Sequence, residues 1–167
     1  MIKHASPSTT VSLVSLLDFN SYLSIVGDPS VGTYDEEFPK SLETATSDFN
    51  DTLSGYQPGG VSSAWQEYGI RDDSGLLIGL ASFRVMSDKT VKLVKARVGV
   101  HMGSAWRGRG HATRALADVL DMLRNNGVGM AEAVIDHDNT PSRKLFVRAG
   151  FKQLGTLGGD AWYYLDL

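Results

Sequence analysis

The chemistry of this chain concentrates in Arg107-Gly108-Arg109-Gly110-His111-Ala112-Thr113, which opens a run of helical periodicity. Gly108 and Gly110 lack a Cβ, so the backbone there can take unusual dihedrals and let a ligand approach closely. The start of a helix leaves its first amides without intrahelical acceptors and carries partial positive charge. Together these features make a socket for an anion, most naturally a phosphate or pyrophosphate held by the amides from Gly108 to Thr113. Arg107 and Arg109 add charge and forked hydrogen bonds. Just upstream, Val98 and Val100 are β-branched at period two, so the loop follows a strand that ends near Val100-His101-Met102.

A second constellation is Asn139-Thr140-Pro141-Ser142 followed by Phe146 and Gly150-Phe151. Thr140 suits a helix cap and Pro141 its first turn. Gly150 suits a left-handed C-terminal position, with Phe151 folding back on Phe146. Before this helix, Ala131 to Asp138 has strand character. Strand alternation puts Glu132 and Asp136 on the face of Val134. Glu67, on an earlier strand, is a third carboxylate that could accept a proton.

No G-x-x-x-x-G-K-[ST] signature occurs, and the dinucleotide fingerprint is half met, with Thr113 at its third glycine position. One arginine-glycine segment in a chain of formal net charge -3 is a poor RNA-binding element. Instead, Arg107-x-x-Gly110-x-Ala112 resembles the pyrophosphate-binding motif (Q/R-x-x-G-x-G/A) of the GCN5-related N-acetyltransferase superfamily. The run Asn139-x-x-Ser142-x-x-x-Phe146-x-x-x-Gly150-Phe151 is similar to the later half of that core. It is closest in pattern to the RimJ/RimL-type branch.

The resemblance implies acetyl-CoA as cosubstrate, no metal, and direct transfer of an acetyl group to a primary amine, either a protein N-terminus or a small molecule. It implies that Val100, His101 and Met102 flank the pantetheine arm, that Asn139 binds it by its amide, and that Arg107 to Thr113 hold the pyrophosphate. Many relatives carry a tyrosine where this chain has Phe146, which cannot donate a proton. Ser142, one turn earlier, is then the candidate partner of the sulfur. A free ammonium, with a pKa near ~10, must lose a proton before attack. Glu132, Asp136 and Glu67 remain open as bases, with water as relay. The absent tyrosine also leaves a non-catalytic CoA-binding regulatory module as the alternative.

These groups need a scaffold. The 167 residues are 42% hydrophobic and 21% charged, as expected for a soluble chain folding as one acetyltransferase domain over residues 1–167. With no cysteine, no transmembrane-length apolar run and no signal-peptide segment, the expected location is the cytoplasm. Neither nucleic acid nor membrane is an expected partner; a homodimer through the last strand is open.

Strands are predicted over Val11–Leu17, Ser63–Ile70, Leu76–Met86, Val91–Val100, Ala131–Asp138 and Ala161–Leu167. Helices are predicted after an Asp18 cap through Val26, over Ser41–Leu53, from Ala112 to Gly127 or Gly129, and after Thr140. The acidic run Asp35-Glu36-Glu37 and the loop Gly55–Ser62 fall between them, and Gly155 to Asp160 reads as a glycine-rich turn. The pattern predicts an α/β (α+β) fold with a mixed sheet and helices on both faces. The resemblance makes it a mostly antiparallel sheet of six to seven strands with a splayed parallel central pair.

Overall fold

A computed structural model of the chain describes residues 8–31, 39–54, 65–88 and 93–167. The acidic run Asp35-Glu36-Glu37 and the loop Gly55–Ser62 lie outside the described residues. The sheet has seven strands: β1 (Thr10–Leu13), β2 (Gln66–Arg71), β3 (Leu77–Asp88), β4 (Leu93–Met102), β5 (Met130–Asp136), β6 (Lys152–Leu157) and β7 (Asp160–Asp166). Their order is β1-β2-β3-β4-β5-β7-β6, antiparallel throughout except for the parallel pair β4 and β5. The helices are α1 (Phe19–Val26), α2 (Leu42–Ser54), α3 (His111–Asn125) and α4 (Thr140–Arg148). None is long and apolar enough to cross a membrane.

The sheet separates two cores. On one face Tyr22, Ile25 and Val26 of α1 and Ala45 and Phe49 of α2 meet Leu77 and Leu80 of β3. On the other face Ala115, Leu116, Val119, Leu120 and Leu123 of α3, with Phe146 of α4, cover Ala96, Val98, Ala131, Ala133 and Ile135. Each fully buried side chain of Leu116's size contributes roughly 1.5–3 kcal/mol. The apolar spacing of three and four along α3 thus becomes its attachment to β4 and β5.

Helix ends follow from local chemistry. Gly127 takes φ 77°, and the amides of Gly127 and Val128 close back on Arg124 and Leu123 at 3.1 Å each. Helix α4 ends the same way. Gly150 takes φ 96°, its amide bonds the Val147 carbonyl at 3.0 Å, and the Phe151 amide bonds the Phe146 carbonyl at 3.1 Å. The two phenyl rings sit edge to face with centroids 5.0 Å apart, the apolar contact expected of this stop.

Several expectations change. The first strand ends at Leu13, and Leu16–Asp18 form a 3-10 turn leading into α1. Asp18 is not a side-chain cap of α1; its carboxylate accepts from the Ser15 amide and hydroxyl and from the Arg71 guanidinium. Asn139, rather than Thr140, caps α4, its Oδ1 accepting the Ser142 amide at 3.1 Å. Strand β5 stops at Asp136, where the Asp138 amide turns back on the Asp136 carboxylate.

The expected turn Gly155–Asp160 is mostly strand. Gly155 lies at a register shift in β6, while Gly158 and Gly159, at φ 64° and 95°, form the two-residue hairpin to β7. A glycine inside a strand marks an irregularity, whereas two successive positive φ values suit a tight hairpin turn.

Candidate active site

The site begins where β4 and β5 part. They pair only at Lys95 with Met130, Ala96 with Ala131 and Arg97 with Glu132. Beyond that position Val98 to Met102 and Ala133 to Asp136 continue without each other, and a gap opens at the carboxyl ends of both strands. This is the end of a parallel pair where ligands characteristically bind.

Backbone direction along β4 follows from the bonds at its two ends. The Gly103 amide bonds Ile78 on the β3 side, and the Val94 carbonyl accepts from Gly129 on the β5 side. Backbone polar groups alternate along a strand. Val98, Val100 and Met102 therefore turn theirs toward β5, and Gly99 and His101 turn theirs toward β3. Of the expected contacts at this strand end, Val100 presents an unpaired edge to the gap. The Met102 carbonyl accepts from Arg107 Nε at 3.0 Å, and His101 is occupied in the β3 ladder opposite Leu80.

After β4, residues Ser104–Trp106 form a 3-10 turn, and Gly108 and Gly110 take φ 70° and 89°. Open space lies where a Cβ would stand on Gly108, so its requirement is one of dihedral and not of crowding. Gly110 is the N-cap of α3, and the first ladder bond runs from the Arg114 amide to its carbonyl at 3.2 Å. The His111, Ala112 and Thr113 amides precede that bond and point out of the helix start.

The side chain of His111 turns inward. It is buried, its Nδ1 lies 2.9 Å from Thr9 Oγ1, and its ring meets Trp106 edge-on at 5.9 Å. Arg109 lies over the same indole at 5.5 Å. Asp28 anchors the turn to the end of α1. The Ser30 hydroxyl first, then the Ser30 amide and the Ser104 side chain, hold its carboxyl down at about 2.

Helix α4 starts at the neighbouring strand end, so the starts of α3 and α4 flank the gap. Ser142 lies partly exposed in the first turn of α4, its hydroxyl making no hydrogen bond among the described residues. Phe146 is 2% exposed and packed in the core against Phe151. The structure thus brings Val100, Gly108, Gly110, the first amides of α3, Asn139 and Ser142 around one opening.

The carboxylates divide. Glu132 is 7% exposed and accepts from Arg97 Nε and Nη2 at 3.0 and 2.8 Å and from Lys95 Nζ at 3.0 Å. Asp136 lies partly exposed at the end of β5, beside a cavity of 480 Å³ lined also by His137, Asp138 and the β6–β7 turn. Glu67 accepts on one oxygen from Tyr22 at 2.9 Å and Thr52 at 3.1 Å, so β2, α1 and α2 meet at it. Burial first, then the neighbouring Glu67 charge, raise the Tyr22 phenol well above its ordinary value and keep it a donor. Glu67, Ser82 and Gly99 form one row across β2, β3 and β4. A Cβ on Gly99 would come within 3.0 Å of the Ser82 hydroxyl, so the row is low on its way to the gap.

Sequence reasoning missed Lys95, Arg97 and Trp162. The alternation of β4 was the available signal for Lys95 and Arg97, but their partner Glu132 lies on β5 and Trp162 reaches Arg97 from β7.

Residues 10–152 match the acetyltransferase (GNAT) domain family, and the chain belongs to it. YwnH of Bacillus subtilis (strain 168), whose name carries a provisional phosphinothricin acetyltransferase assignment, is 30% identical over 94 residues. That match spans 56% of this chain and 58% of the Bacillus protein.

A GNAT-family acetyltransferase from Bacillus anthracis superposes with a TM-score of 0.77 at 13% identity, covering 97% of this chain and 96% of that one. RimL, a ribosomal L7/L12 alpha-N-protein acetyltransferase solved with coenzyme A, gives 0.74 at 15% identity, covering 98% and 96%. Such identities establish the shared fold.

Proposed function

We propose that this chain transfers an acetyl group from acetyl-CoA to a primary amine by direct attack. The observation that carries this reading is the opening between β4 and β5, flanked by the glycine-shaped start of α3 and by the start of α4. The helix start fits a pyrophosphate: its first amides point outward, its dipole favours an anion, and Arg107 and Arg109 stand beside it. The unpaired edge of β4 at Val100 fits the amides of a pantetheine arm.

Acetyl-CoA supplies the activated thioester. The chain's own groups supply the rest. The Val100 N–H is a donor for negative charge developing on the carbonyl oxygen. The Ser142 hydroxyl is free to hydrogen-bond the departing sulfur. Asn139 is committed through Oδ1 to the helix cap, which leaves its amide NH2 for the cofactor side.

Among the carboxylates, Glu67 suits proton removal best, because Tyr22 and Thr52 fix one oxygen and leave the other unengaged among the described residues. Glu132 is held by two cations and suits positioning better than proton transfer. Asp136 retains access at the mouth of the gap.

The test has two parts. Calorimetric titration with coenzyme A should show binding that Arg107→Glu weakens at least tenfold in folded protein. Thiol release should then appear with at least one amine from peptides, amino acids (phosphinothricin included), polyamines and aminoglycosides. Unchanged affinity in the variant overturns the cofactor site, and binding without thiol release across that set overturns the enzymatic reading.

A further inference from the structure

The registers of five strands place Arg84, Arg97, Glu132, Tyr164 and Lys152 in one row on the sheet face that carries α1 and α2. Arg97 and Glu132 occupy the last paired position before β4 and β5 separate. This row therefore borders the gap, on the face opposite α3 and α4.

Charge in this row does not balance. Glu132 is one carboxylate beside Lys95 and Arg97, and exposed Arg84 stands next to Arg97 on β3. Arg97 is also held in place. Two of its N–H groups bind a single Glu132 oxygen, and its guanidinium lies 5.0 Å from the centre of the Trp162 ring. A guanidinium has five N–H donors, so three remain, and Nη1 carries no bond among the described residues. Its side chain is 34% exposed, open enough for a ligand and restrained enough to orient one. A guanidinium fixed by a carboxylate behind it and an aromatic face beside it presents its free edge as an oxyanion fork.

The geometry points to an acceptor that carries a carboxylate in addition to its primary amine. Arg97 takes the anion and Arg84 adds charge, while the amine lies farther along the gap toward the row of Glu67, Ser82 and Gly99. This rests on the acetyl-transfer reading and narrows its acceptor class.

The test uses glutarate, a dicarboxylate with no amine and hence no turnover, added to the CoA-saturated protein. The indole N–H resonance of Trp162, assigned with Trp162→Phe, should shift on titration. Cadaverine, of the same length and opposite charge, should leave it in place. Arg97→Gln should weaken the glutarate response at least tenfold, and Arg97→Lys, which keeps the charge and the Glu132 pairing, should weaken it less.

CoA affinity is measured on every variant, so loss of the cofactor site is distinguished from loss of the anion subsite. Absence of a glutarate shift in CoA-bound protein, an equal response to cadaverine, or a full response in folded Arg97→Lys and Arg97→Gln overturns the proposal.

Discussion

Arg97 on β4 and Glu132 on β5 stand side by side at the last paired position of the two strands, joined by bonds of 3.0 and 2.8 Å to one carboxylate oxygen. The pair closes the sheet at the root of the gap. Glu132→Gln keeps the shape but leaves Lys95 and Arg97 without their counter-charge. Denaturant unfolding should show a loss of about 1–2 kcal/mol, discounted for the partial exposure of both cations. If Glu132 only positions Arg97, the acid limb of the pH–rate profile stays where it is.

Glu67→Gln preserves an acceptor for Tyr22 and Thr52 while removing the basic oxygen. Turnover is expected to fall 10²-fold or more, in line with loss of a general base, with CoA affinity unchanged. Tyr22→Phe should instead cost about 1 kcal/mol of stability through one lost hydrogen bond, with a smaller loss of rate. A Glu67→Gln enzyme with wild-type turnover would return this residue to a purely structural tie.

Gly110 holds a left-handed conformation at φ 89°. An alanine there pays about 1–2 kcal/mol in the same conformation, or relaxes and displaces the first amides of α3. Gly110→Ala should therefore lower both unfolding free energy and CoA affinity. Gly110→Asn, better suited to that conformation, should recover part of the stability.

The two polar residues at the start of α4 separate by readout. Ser142→Ala removes a hydroxyl with no protein partner among the described residues, so stability should stay within about 0.5 kcal/mol while turnover slows. Asn139→Ala removes the helix cap and should cost about 1 kcal/mol of stability as well as CoA affinity.

Asp18 supplies a pH signature away from the gap. The Arg71 fork, aided by Ser15 against the penalty of burial, lowers its carboxyl from 3.8 to about 2. A depressed folded value means the contribution is present above pH ~4 and lost as pH falls through about 2. Asp18→Asn should cost on the order of 2 kcal/mol at pH 7 and nearly nothing at pH 2. Equal losses at the two pH values would contradict this.

What could be read from the chain was local. The Gly150-Phe151 stop, the glycine turn into α3 and the apolar stripe of α3 are each encoded within a few residues, and they form as expected. Where two nearby groups compete, local reading was less sharp: Asn139 took the cap from Thr140, and distant Arg71 drew Asp18 away from a capping role. The Gly155–Asp160 turn was overdrawn because a glycine in a strand and a glycine in a hairpin look alike without a register. The Arg97–Glu132 pair lies beyond such reading, since it depends on β4 and β5 meeting across the intervening α3.

The brevity of the β4–β5 ladder has a mechanical consequence. One leaf of the sheet, β1 to β4, and the other, β5 to β7, share a spine of three residue pairs, all at the same end. A ligand lying between the free ends would rivet the leaves together, so occupancy would be felt as rigidity in strands that never touch it.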